Sequence, residues 1–172
     1  MPAPVRDASA EDVLTTAAVW PSHTVRLRTK DVMNQWVDIE PRHGEDPPRR
    51  ADTHCVGVLR RIAGARIRWC GLDSLTEAVM LLVSELVTNA VLHSGAKRIG
   101  VVMTLSHGFL EIAVIDGMPG AATRRESDEK SESGRGLALV ETVVRENGGA
   151  WGTSDAGAKT WCRLAVPEEP EP

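Results

Sequence analysis

Ser84-Glu85-Leu86-Val87-Thr88-Asn89-Ala90-Val91-Leu92-His93-Ser94 reads as a helix that is apolar nearly all round except for one polar stripe. Glu85, Asn89 and His93 stand at i, i+4 and i+8, so they stack on one face. A buried helix does not usually keep a carboxylate and an amide in line unless something polar lies against them. Two downstream pieces indicate what that is. Asp116 stands at a strand end just before Gly117, and Gly134-Arg135-Gly136 opens a second helix. Together they point to a nucleotide and its metal.

Working outward, Ser94-Gly95 supplies the C-terminal stop of the first helix, and Ser74-Leu75-Thr76-Glu77 has the form of a capping box at its start. Upstream, residues 51–69 have helical spacing through Val58, Ile62, Ala65 and Trp69, with arginines on the other faces. A short strand is expected at 36–40, closed by the proline-rich loop 41–48. Downstream, Ile99, Val101, Met103 and Leu105 form one face of a strand, and Leu110, Ile112 and Val114 one face of the next. Ser106-His107-Gly108 is the turn between them, so the pair is a β-hairpin. Asp116 continues the parity of Val114, which puts an acid on the core side of a strand end. Residues 121–133 are small and charged without an apolar anchor, a surface loop of functional length. A helix over 136–147 uses Leu137, Val140, Val143 and Val144 and stops at Gly148-Gly149, and strands follow near 150–154 and 159–166.

This order predicts an α/β sandwich: a mixed, mainly antiparallel sheet with helices packed on one face. Residues 1–33 read as a flexible N-terminal arm, 34–167 as one folded domain and 168–172 as a disordered acidic tail.

The totals set bounds. With 42% apolar residues in 172, the chain can bury a core without staples, and with five Trp, one Phe and no Tyr that core must be Val, Leu, Ile and Ala. A formal charge of −4 offers no general attraction to nucleic acid or an anionic membrane, so neither is expected as a direct partner. Three cysteines, Cys55, Cys70 and Cys162, without Cys-x-x-Cys spacing, argue against a disulfide framework or a zinc site. The acidic start (Asp7, Glu11, Asp12) is unlike a secretion signal, and no apolar run is expected to span a membrane. A cytoplasmic protein is the expectation.

Glu85-x-x-x-Asn89 on a helix resembles the N box of the GHKL superfamily, which includes gyrase, Hsp90, histidine kinases and MutL. Asp116-Gly117-Met118-Pro119-Gly120 resembles its Asp-x-Gly-x-Gly box, with Met118 where the family usually has the middle glycine. Gly134-Arg135-Gly136-Leu137 resembles its second glycine box, and Thr160 sits where the family has a threonine near the adenine. The resemblance covers about residues 36–166. The single-domain form, with Glu-Leu-Val-Thr-Asn-Ala-Val-x-His-Ser, is most similar to the anti-sigma-factor serine/threonine kinases.

The resemblance implies ATP and Mg²⁺ as ligands, with Asn89 as the metal ligand and Glu85 as the catalytic base. The amide oxygen of Asn89 is a hard, neutral ligand suited to Mg²⁺ beside phosphate oxygens, and Glu85 could accept a proton from an attacking hydroxyl. Gly120, Gly134, Arg135, Gly136 and Leu137 would cradle the phosphates, with His93 as their neighbour. Asp116 suits the exocyclic amine of adenine, and Thr160 shares its side of the sheet. The implied partners are a sigma factor or other transcription regulator and an antagonist protein that is phosphorylated on serine; self-association into a homodimer stays open. A different class also stays open: an ATP-gated protein-binding module with little or no kinase activity.

Overall fold

The computed structural model describes residues 29–42, 47–119 and 132–167. The expected loop centred on 121–131, the tail 168–172 and most of the N-terminal arm lie outside them.

The hairpin organises the sheet. Strand β2 (Arg98–Ser106) turns into β3 (Phe109–Ile115) through His107 and Gly108, whose φ of 51° and 79° make the primed turn that matches strand twist. Register pairs Val101 with Val114, Met103 with Ile112 and Leu105 with Leu110, so one face of the hairpin is aliphatic. Strand β1 (Lys30–Asp38) pairs with the outer edge of β2. Strands β4 (Ala150–Ser154) and β5 (Lys159–Ala165) form a second hairpin, with β5 inserted against β3. The sheet order is β1-β2-β3-β5-β4, and every neighbouring pair is antiparallel, so the sheet is antiparallel throughout rather than mixed.

Three helices cover the aliphatic face: α1 (Arg50–Trp69) over β1, α2 (Thr76–His93) over β2 and β3, and α3 (Glu132–Glu146) over β4 and β5. Helix α2 is central, with Val79, Leu82, Val83 and Val87 fully buried between its neighbours and the sheet. The stretch Asp73–His93 is long and apolar enough by composition to cross a membrane, contrary to expectation, but over half of that window is buried here, as befits a core helix. The buried core is built of Val, Leu, Ile, Met and Ala, as the scarcity of aromatics requires.

Several boundaries differ from the sequence expectation. β1 begins at Lys30 rather than 36, which moves residues 30–33 from the arm into the sheet. A register shift between Asp31 and Met33 breaks the alternation that would have revealed it. In α1 the buried stripe is Leu59, Ala63 and Ile67, whereas Trp69 is 84% exposed. Gly64, at the crossing of α1 and α2, lies so close that a Cβ there would stand 2.8 Å from the Met80 sulfur. The capping box does not form. Asp73–Leu75 is a turn of 3₁₀-helix running into α2, so Ser74 sits inside a helical turn instead of at an extended cap position. The expected stop at Ser94 does form: its Oγ donates to the Ala90 carbonyl at 2.6 Å and accepts from the Ala96 N–H at 3.1 Å.

The opposite face of the sheet has no helix over it among the described residues. Trp36 lies over Gly100 and Trp161 over Gly152, where a Cβ would meet the rings at 2.7 and 3.1 Å. Arg98 stands 5.3 Å from the Trp36 ring and Arg163 5.0 Å from Phe109. Aromatic rings thus cover glycines on this face.

Cys162 is fully buried on the inner face of β5, where burial, and secondarily the charge of Glu111, pushes its thiol from the usual 9.0 to about 12. The folded chain therefore holds a proton that the unfolded chain loses above about pH 9. Its contribution to stability is complete below that pH and is lost as pH rises toward 12. The urea midpoint is expected to fall between pH 8 and about pH 10.5, and to fall less in Cys162→Ala; equal falls in both proteins would refute this.

Candidate functional site

The polar stripe of α2 is where the chemistry gathers. Glu85 is half-buried, while Asn89 is 5% exposed and its Nδ2 has no hydrogen-bond partner among the described residues. A buried amide without a partner calls for an explanation, since such groups are nearly always satisfied in folded proteins. What faces the stripe is the start of α3. A Cβ on Gly136 would lie 2.7 Å from Glu85 Oε2 and 3.8 Å from both Asn89 Oδ1 and Nδ2. Glycine thus lets the helix backbone rest closely on this carboxylate and amide; a side chain there would require the Glu85 carboxylate to shift.

Helix α3 begins at Glu132, four residues earlier than expected. Gly134, Arg135 and Gly136 are therefore inside its first turns instead of forming loop punctuation before it. Each glycine costs the helix about 0.5–1 kcal/mol relative to alanine, which the packing on α2 offsets. The first N–H groups of an α-helix have no partner within the helix and are suited to anionic groups. Arg135 is exposed and Leu137 half-buried.

A second pair stands at the end of β3. The Asp116 and Gly117 N–H groups both donate to the Ala158 carbonyl, at 3.0 and 3.2 Å, tying the strand end to the β4–β5 connection. Gly117 then takes a φ of +67°, and the Met118 N–H folds back to donate to Asp116 Oδ1 at 2.9 Å. This turn fixes the Asp116 carboxylate at the rim of the sheet. Thr160 is 5% exposed and lies in register with Val114, two residues before Asp116, so threonine and acid share the helix-covered side of adjacent strands.

The structure thus brings Glu85, Asn89 and Gly136 into one cluster and Asp116 and Thr160 into another. His93 closes α2 as its last residue and is half-buried. Gly120 lies outside the described residues. Sequence reasoning missed Arg42, whose Nη1 donates to the Leu92 carbonyl at 2.8 Å and so caps the C-terminal turn of α2 beside His93. Fifty residues separate the partners, so no local pattern could have signalled the contact.

The donor set fits a nucleotide phosphate and its metal. The Asn89 amide has an oxygen of the hard kind Mg²⁺ takes and an unpartnered Nδ2 donor suited to a phosphate oxygen, and the start of an α-helix has free N–H groups; Gly136 brings α3 close to both side chains. Among the described residues no group of three or more His, Cys, Asp or Glu could hold a metal. A divalent ion at Asn89 would therefore take its other ligands from phosphate oxygens and water, as Mg²⁺ commonly does.

Filling the gap tests the cluster. Gly136→Ala should leave the fold intact or raise its thermal midpoint, because alanine favours helix, while displacing the Glu85 carboxylate. Nucleotide affinity is expected to drop roughly tenfold, from loss of one close approach. Unchanged calorimetric affinity would show that the Glu85–Gly136 contact is irrelevant to binding.

A helix carrying a carboxylate and an amide one turn apart, a glycine-opened helix against them, and an acid–threonine pair at the strand ends together define one architecture. No curated protein matches the chain. The model of the histidine kinase-, DNA gyrase B- and HSP90-like ATPases matches residues 75–170, more than half of the 172 residues. The match takes in α2, the glycine-opened helix α3 and strands β2 to β5, so the chain belongs to this family of ATP-binding domains.

Proposed function

We propose that this chain is an ATP-binding regulatory protein of the anti-sigma-factor type. It binds a sigma factor or similar regulator in the cytoplasm and phosphorylates a serine on an antagonist protein with Mg-ATP. The observation that carries the reading is the meeting of Glu85, Asn89 and Gly136. Binding alone needs the amide and the glycine; a carboxylate at the same point supplies a base.

Each residue then has a task. Asp116 accepts a hydrogen bond from the adenine amine and disfavours guanine, whose oxygen it would repel. Thr160, beside it, completes that end of the pocket. Asn89 holds the metal through its amide oxygen. Mg²⁺, when bound, neutralises phosphate charge and orients the terminal group. The N–H groups at the start of α3, with Gly120, cradle the phosphates. Glu85 takes the proton of the serine hydroxyl as its oxygen attacks the terminal phosphorus, and the bond to the departing ADP breaks.

A second reading, an ATP-gated binding module with little turnover, is favoured by one local feature. Met118, at the family's middle-glycine position, is 40% exposed, and its N–H is already spent on Asp116. That leaves one fewer backbone donor for the nucleotide.

Calorimetry with ATP, ADP and GTP in Mg²⁺ separates the possibilities. Adenine nucleotides are expected to bind at least roughly tenfold tighter than GTP, a preference lost in Asp116→Asn. Asn89→Ala should abolish the Mg²⁺ dependence. Glu85→Gln should keep ATP affinity while cutting transfer to an antagonist serine by about 10²–10⁴. Absence of wild-type binding at millimolar ATP would overturn the whole reading. Binding without any Glu85-dependent transfer would favour the module.

A further inference from the structure

A groove of about 530 Å³ runs along the exposed side of α2 between α1 and α3. On α2 it extends from Glu77 to Glu85, eight residues or about 12 Å of helix. Glu85 therefore closes one end, and Asn89, a turn beyond, is not in its wall. Its floor is aliphatic, with Leu81 half-buried and Val143 from α3 buried. Its walls are acidic. Glu77, Glu85 and Glu146 face it against one guanidinium, Arg60. None of the three carboxylates takes part in an ion pair among the described residues.

We infer that this groove receives the acceptor protein as a basic segment with an aliphatic residue, its serine delivered to Glu85; the serine's role rests on the kinase reading above. Two physical arguments support it. The nucleotide occupies the Asn89, Asp116 and Thr160 side of Glu85, so a hydroxyl lined up opposite the departing ADP must arrive from the other side, where the groove leads. The second argument is charge. An excess of carboxylates over an apolar floor attracts a cationic segment and repels an acidic one. About 12 Å accommodates three to four extended residues. The acceptor thus carries its serine at the Glu85 end, an aliphatic side chain on Leu81 and Val143, and a lysine or arginine between Glu77 and Glu146.

The test uses the full chain and two fluorescein-labelled peptides, one with serine, leucine and lysine at this spacing, the other with glutamate for lysine. Anisotropy at low salt reads binding without turnover, and calorimetry reads ATP on the same proteins. The lysine peptide is expected to bind roughly tenfold tighter than its acidic counterpart. The Glu77→Lys, Glu146→Lys double variant, altered only at exposed positions, should reverse that preference and leave ATP affinity unchanged. Equal binding of both peptides, binding of neither, or a preference that survives the double substitution would overturn the groove assignment. A reversed preference with no phosphate transfer to the lysine peptide would uphold the groove while counting against the kinase reading. Transfer with a KM indifferent to the double substitution would do the opposite.

Discussion

Everything near the site depends on a polar stripe that cannot reach water freely on a helix that must be buried. Helix α2 is packed between α1, α3 and the sheet, and apart from Thr76 and Asn89 its buried positions are aliphatic. Keeping Glu85 and Asn89 in that setting costs desolvation unless a polar surface meets them. The start of α3 is that surface, and the absence of a side chain at residue 136 lets it come close without displacing the Glu85 carboxylate. Replacing the stripe by leucines would make a better core and leave no site. The Asn89 Nδ2 is one of two buried side-chain polar atoms without a hydrogen-bond partner among the described residues, the other being Thr76 Oγ1.

The same logic explains which parts could be read from the sequence. Strands β2 and β3 alternate, so the hairpin and the parity of Asp116 are legible; the turn is one residue shorter than Ser106-His107-Gly108, because Ser106 stays in β2 and pairs with Phe109. Helix α2 is legible too, since its polar stripe stands out against aliphatic neighbours. Tertiary packing governed the rest. The β1 bulge hides the alternation of residues 30–35. In α1, Trp69 seemed a natural core residue, yet the inward stripe falls on Leu59, Ala63 and Ile67. Gly134 and Gly136 look like loop residues by propensity, and contact with α2 extends the helix through them. Arg42 reaches α2 across fifty residues, a contact that belongs to the fold and to no segment of it.

The sheet's two faces divide the labour. The inner face supplies the aliphatic surface that sets α2 in place, and at one end it carries Asp116 and Thr160 on neighbouring strands. The outer face lies under no helix among the described residues, and Trp36 and Trp161 cover glycines there. Rings on that face stiffen the strands without adding a second hydrophobic layer. Strand ends, fixed by the Asp116 and Gly117 bonds to the Ala158 carbonyl, then hold the acid as rigidly as the strands themselves. A site read out by strand ends and helix starts has few loose parts among the described residues.

Binding and turnover are separable in the proposed arrangement for a chemical reason. Glu85 and Asn89 are one turn apart, about 6 Å along the helix. Side chains at that spacing can converge on one ion or one phosphoryl group, so residue type rather than distance divides the roles. An amide at the nearer position can hold charge without competing for a proton, and a carboxylate at the farther one can take a proton without binding the metal. On the proposed reading, exchanging the two residue types would put the charged group at the position assigned to the metal ligand and take the carboxylate away from the end of the groove. On that reading, the order Glu-then-Asn along α2 gives the nucleotide one side of the helix and leaves the groove ending at Glu85 as the approach for an acceptor.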